Sequence, residues 1–160
     1  MAIQVGQNAP DFCLYDTTKQ QVVLKESYVK KNVLLLFFPL AFTSTCTREL
    51  CAVRDDIGKY FNDDVEVFGI SVDSVYTLAR YKEDLHINYT LLSDFNKRVS
   101  ADYDTLYTTF SAMEMRGVSK RSAFIVDRSG IIRYVEVLEN ASAIPDFNII
   151  DKILSGLSNK

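Results

Sequence analysis

Cys46 is the side chain in this sequence best suited to covalent chemistry. It lies in Pro39-Leu40-Ala41-Phe42-Thr43-Ser44-Thr45-Cys46-Thr47-Arg48-Glu49, after an apolar run and at the expected first turn of a helix. Backbone N–H groups at a helix start have no intrahelical acceptor, and the helix dipole is positive there, so a thiolate is favoured over a thiol. Thr43, Ser44 and Thr45 add hydroxyls and Arg48 adds a cation. A cysteine elsewhere is most often a small buried hydrophobe; the polar neighbours and the helix start point instead to a reactive sulfur.

Several kinds of thiol chemistry are poorly served. A cysteine hydrolase needs an imidazole base, and the single histidine, His86, falls where a helix is expected to end, a common place for a group that can carry positive charge. Disulfide exchange through Cys-x-x-Cys would need a sulfur at position 43, which is Thr43. Zinc is disfavoured by three dispersed cysteines and one imidazole. What remains is a solitary thiolate attacking an oxidant and passing to a sulfenic acid.

The elements that must hold this sulfur are legible in the pattern. Val33–Phe38 is a continuous apolar run, the mark of a strand covered on both faces, and Pro39 ends it. Leu50, Val53, Ile57, Tyr60 and Phe61 recur at helical steps, predicting a helix from near Thr45 or Cys46 to near Tyr60. Val65–Val72 reads as a second buried strand, followed by a helix capped at Asp73 or Ser74. Strand, helix and strand at this spacing predict a parallel pair with a right-handed crossover. Gln21–Leu24, Tyr89–Leu92 and Ser122–Val126 read as further strands and Ile131–Val137 as an antiparallel return across the turn Asp127-Arg128-Ser129-Gly130. A short helix is expected after Asp94 and a last one after Pro145. The fold class is α/β, a mixed central sheet flanked by helices, in one domain spanning 1–160.

Composition narrows the function further. Apolar residues make up 48% and charged residues 24%, as in ordinary globular proteins. Eighteen basic residues against 21 acidic ones give a net charge of −3, and the basic pairs are scattered, which argues against a nucleic-acid partner. The run Val33–Phe42 is too short to cross a membrane, and the opening Met1-Ala2-Ile3-Gln4-Val5 has no basic or apolar leader. A cytoplasmic location without membrane association is therefore expected, with free thiols rather than a disulfide scaffold.

Pro39-x-x-x-Thr43-x-x-Cys46, extended by Glu49, resembles the active-site motif of the peroxiredoxins, the thiol peroxidases of the AhpC/TSA superfamily. Gly6-x-x-Ala9-Pro10-Asp11-Phe12 is similar to that family's N-terminal segment, and Lys120-Arg121-Ser122 through Ser129-Gly130 to its arginine-bearing strand and hairpin. The resemblance covers the chain and implies a thioredoxin-like fold with an N-terminal extension. It implies reduction of hydrogen peroxide and organic hydroperoxides, with Cys46 as the peroxidatic cysteine. Thr43 is implied to hydrogen-bond the peroxide, Arg121 to supply N–H donors to sulfur and oxygens, Pro39 to shield the sulfur, and Glu49 to orient an arginine. No metal, flavin or haem is implied.

The fate of the sulfenic acid rests on Cys51. The spacing Cys46-x-x-x-x-Cys51 resembles the bacterioferritin-comigratory, PrxQ-like branch, in which the second cysteine resolves the first. Five residues on a helix turn roughly 140° away and rise ~7.5 Å, so the helix start must unwind to close that bond. Phe37-Phe38-Pro39-Leu40-Ala41-Phe42-Thr43 and Val126–Arg133 also resemble the AhpE-like branch, where Cys51 would be a buried helix residue and an outside thiol would reduce Cys46. The expectation is resolution by Cys51 and re-reduction by thioredoxin or a similar thiol, in a monomer or homodimer. Cys13 is expected to pack within a strand, and Tyr103, Tyr107 and Phe110 either cover a dimer face or pack inside the monomer. The competing functions are a disulfide reductase, which Thr43 disfavours, and a binding or chaperone-like module in which the motif is idle.

Overall fold

The side chains of Val33–Phe38 divide between two cores. Leu34, Leu36 and Phe38 enter one cluster, and Val33, Leu35 and Phe37 enter the other, all fully buried. The segment is thus a strand with both faces covered, as its unbroken apolar run requires. The computed structural model describes residues 2–158. Its strands are β1 (Cys13–Asp16), β2 (Gln21–Val23), β3 (Asn32–Phe37), β4 (Val65–Ser71), β5 (Thr90–Ser93), β6 (Ser122–Val126) and β7 (Ile132–Val137). They form one sheet in the order β2-β1-β5-β4-β3-β6-β7. β3 pairs in parallel with β4, and β4 with β5; the remaining neighbours are antiparallel. The sheet is mixed, as expected.

The helices are α1 (Leu24–Tyr28), α2 (Ser44–Asp55), α3 (Val75–Leu85), α4 (Arg98–Asp102) and α5 (Phe147–Ser158). Residues of α2, α3 and α5 pack with Leu34, Leu36 and Phe38, while Leu24, Val99, Tyr103 and the N-terminal segment cover the other face. Gly69 on β4 leaves room for the Leu91 side chain of the neighbouring β5. A Cβ there would lie 2.7 Å from Leu91 Cδ2 and 3.6 Å from Leu50 Cδ2, inside or at the edge of van der Waals contact.

Several expectations change. The helix carrying Cys46 begins earlier, at Ser44, because Thr43 takes the extended conformation of an N-cap residue (φ −98°, ψ 152°). It also ends earlier, at Asp55, and a separate 3-10 turn over Ile57–Lys59 carries the apolar spacing on toward Tyr60. Leu24 opens α1 instead of closing β2. Its N–H still donates to Phe12 O, while the next N–H, of Lys25, is taken by the Asp11 carboxylate at 3.0 Å. Cys13 is exposed rather than packed. Tyr103 is buried against Phe37 and Phe124 (ring centroids 5.4 and 5.1 Å) and so belongs to the interior.

Candidate active site

β3 delivers the chain to Pro39, and the loop 40–42 returns it into α2. Phe42 takes a positive φ of 66°, a conformation uncommon for a residue with a Cβ, and its ring packs on Tyr81 at 4.9 Å. The loop is fastened from below: Ala41 N–H donates to Asp73 Oδ2 at 2.8 Å, and the same oxygen accepts from Ser71 Oγ at 2.7 Å. Thr43 Oγ1 donates to Leu40 O at 2.7 Å. With its proton committed, that hydroxyl faces any further partner as an acceptor.

Cys46 occupies the first turn of α2 and is fully buried. Arg121, at the residue before β6, is only 1% exposed, against the ordinary expectation for an arginine at a strand start. Its Nη2 donates to Cys46 Sγ at 3.3 Å and to Ala141 O at 3.0 Å, and its Nη1 to Glu49 Oε1 at 2.8 Å. Glu49 lies one helical turn beyond Cys46, so both project from the same side of α2 toward the guanidinium. Burial pushes the Glu49 carboxyl up to about 7, against the pull of Arg121 and with a further push from Glu136. For Arg121, burial acts against the charge, but Glu49 and Cys46 outweigh it and hold the guanidinium above its ordinary value. The cluster therefore contains one fixed cation facing two potential anions.

Residues 5–135 match the AhpC/TSA family. The chain belongs to the AhpC/TSA family, the peroxiredoxins. Alkyl hydroperoxide reductase E of Mycobacterium tuberculosis is 41% identical over 135 residues, covering 84% of this chain and 86% of that protein. The mitochondrial thioredoxin-dependent peroxide reductase of Drosophila melanogaster is 35% identical over 163 residues, covering 96% of this chain but 65% of the relative. Among solved structures, reduced Plasmodium vivax 2-Cys peroxiredoxin superposes with a TM-score of 0.82 at 30% identity, covering 98% of each chain. Mycobacterium tuberculosis peroxidoxin BcpB superposes with a TM-score of 0.80 at 28% identity, covering 98% of this chain and 97% of that one. The thioredoxin-like α/β fold expected from the motif is the fold of these neighbours.

In this peroxiredoxin Cys46, Glu49 and Arg121 come together, with Pro39 buried and Thr43 at the helix start. Cys51 does not join them. It is half-buried within the same unbroken helix, turned roughly 140° from Cys46. Arg48 is exposed and donates to Ser142 O at 3.4 Å. Two contributors escaped sequence reasoning: Asp73, which fastens the loop, and the segment around Ala141, whose carbonyl shares the Arg121 donor. Asp73 stood in view only as a possible helix cap, and nothing local to Ala141 marks it. Among the described residues no group of three or more His, Cys, Asp or Glu side chains could hold a metal ion. Among them, too, no helix is long and apolar enough to cross a membrane.

Proposed function

We propose that this chain is a thiol-dependent peroxidase reducing hydrogen peroxide and organic hydroperoxides at Cys46. The observation that carries the proposal is the buried guanidinium N–H of Arg121 aimed at Cys46 Sγ from 3.3 Å. The sulfur anion attacks the nearer peroxide oxygen in line with the O–O bond. A C–S–O linkage forms, the O–O bond breaks, and the leaving oxygen takes a proton and departs as water or alcohol. Charge migrates from sulfur toward the leaving oxygen, and Arg121 Nη2, already within reach of both Sγ and Ala141 O, is placed to follow it. Thr43 Oγ1 accepts a hydrogen bond from the hydroperoxide O–H, since its own proton is held by Leu40 O. Pro39 closes the wall beside the sulfur, and Glu49 fixes the guanidinium plane through a charged hydrogen bond.

Cys51 then resolves the sulfenic acid: its sulfur displaces hydroxide from Cys46, water leaves, and a Cys46–Cys51 disulfide remains. Closing that bond requires α2 to unwind between Ser44 and Cys51, which carries Glu49 off Arg121 and Leu50 out of the core. Thioredoxin or a comparable thiol returns both cysteines to the reduced state. Three cysteines, an odd number, suit free thiols rather than a disulfide scaffold, so we place the activity in the cytoplasm, in a monomer or homodimer.

One equivalent of peroxide followed by intact-mass analysis tests both parts. Oxidation at Cys46 followed by loss of two hydrogens across Cys46 and Cys51 is expected. A lasting gain of one oxygen at Cys46 in the absence of added thiol contradicts the intramolecular route and leaves an external thiol as the reductant. Unchanged peroxide consumption by Cys46→Ser overturns the peroxidase itself.

A further inference from the structure

A concavity lies at the same end of the sheet as Cys46, two strands away. It is a cavity of about 640 Å³, within the range that holds small organic ligands. Its walls come from β1, from the start of α3 and from the segment joining β5 to α4. Three aromatic side chains line it while remaining open to solvent: Tyr15 is 49% exposed, Tyr76 70% and Phe95 59%. Exposed rings gathered around one hollow are unusual for a surface that meets only water.

Charge selects what could enter. Lys19 and Arg98 both line the cavity, and among the described residues neither makes a salt bridge. Lys19 Nζ sits 5.2 Å above the Tyr76 ring, directed over an aromatic face rather than toward an acid. The single acid in the lining, Asp94, is already satisfied. Its two oxygens accept from the backbone N–H groups of Val99 and Ser100 at 3.2 and 2.7 Å, at the start of α4. The uncompensated charge of the hollow is therefore positive, set against an apolar and aromatic wall.

We propose that this cavity is a binding site for a small organic anion with a flat apolar body, its charge held by Lys19 and Arg98 and its body stacked among Tyr15, Tyr76 and Phe95. The site does not depend on the peroxidase assignment, because none of these residues touches the Cys46 cluster. It does border the fastening of the catalytic loop: Ser93 lines the cavity and donates through Oγ to Asp73 O at 2.6 Å, and Asp73 holds Ala41. Cys13, exposed in the same wall, serves as a chemical reporter of occupancy.

The test uses the reduced full chain with anilinonaphthalene sulfonate as a fluorescent probe and naphthoate and inorganic phosphate as competitors. Saturable binding is expected, displaced by naphthoate but not by phosphate, with Cys13 alkylation by iodoacetamide slowed in proportion to occupancy. The pair of changes Lys19→Gln and Arg98→Gln should weaken binding by roughly tenfold, the scale of two exposed ion pairs. Phe95→Ala should weaken it while leaving both charges in place, with circular dichroism verifying the fold of each variant. Probe affinity unaffected by Lys19→Gln/Arg98→Gln, or equal affinity for uncharged phenylnaphthylamine, overturns the proposal. So does a Cys13 that resists alkylation in the free protein while sedimentation shows a dimer, since a second copy would then cover the face.

Discussion

Arg121 holds Cys46 and Glu49 on the two terminal nitrogens of one guanidinium, with Nη2 3.3 Å from Sγ and Nη1 2.8 Å from Oε1. A lysine carries the same charge but offers a single nitrogen and cannot span both partners in a fixed plane. Arg121→Lys is accordingly expected to lower the rate constant for peroxide reduction on the order of 10²-fold, the usual loss when a preorganised donor is removed. Stopped-flow oxidation of the reduced protein measures this. A lysine variant as fast as the parent would show that geometry at Arg121 is irrelevant.

Thr43 donates to Leu40 O, and in the proposed reaction its lone pairs accept the substrate proton. Thr43→Ser preserves both functions and should react within a few-fold of the parent. Thr43→Val keeps the shape but removes the oxygen, and a loss of roughly 10- to 100-fold is expected. Equal rates for the two variants would remove Thr43 from the site.

Glu49 gives a pH dependence whose sign can be worked out. Burial raises its carboxyl from 4.5 to about 7 in the folded protein, so the folded state binds this proton more tightly than the unfolded state does. Its contribution to stability is fully present below the unfolded value and is lost as pH rises through about 7. The slope over that interval approaches ~1.4 kcal/mol per pH unit for one proton. Glu49→Gln, which cannot titrate, should flatten the stability profile between those limits. Urea unfolding across the pH range reads it out, and parallel profiles for the two proteins would contradict the assignment.

Asp73 acts through the loop rather than on the substrate. Asp73→Ala leaves Ala41 N–H without its acceptor and should cost about 1–3 kcal/mol in stability, with a fall in peroxide rate as Thr43 and Pro39 lose their placement. Asp73→Asn retains an acceptor oxygen and should restore much of the rate. Thermal unfolding together with oxidation kinetics on both variants separates positioning from bulk destabilisation. A rate that follows stability alone, with no recovery in the asparagine variant, would assign Asp73 a purely structural part.

How much of the fold is legible in the sequence follows the range of each interaction. β3 and β4 announce themselves because a strand buried on both faces must be continuously apolar, and the β6–β7 turn because its residue types suit a tight reversal. Cys46 is equally legible, since a helix start next to a strand end is a local feature. α1 was hidden because Lys25 N–H is capped by Asp11 from across the fold. The end of α2 at Asp55 was hidden because the 3-10 turn over Ile57–Lys59 continues nearly the same apolar spacing. Asp73 and Ala141 depend on contacts between distant segments, which no local pattern records. The exposure of Cys13 escapes the local pattern for a related reason. Period-2 alternation says which residues share a face, and here the buried set is Phe12 and Leu14.

The central claim is that the sulfur of Cys46, beneath Arg121, is the atom that splits peroxide. Its most direct test is rapid mixing of reduced protein with substoichiometric peroxide, with thiol mapping at each time point, on the parent chain and on Cys46→Ser. Oxidation that starts at Cys46, matches peroxide loss mole for mole and vanishes in Cys46→Ser is the predicted result. Peroxide loss that persists in Cys46→Ser, or a Cys46 still reduced after the peroxide is consumed, would contradict it.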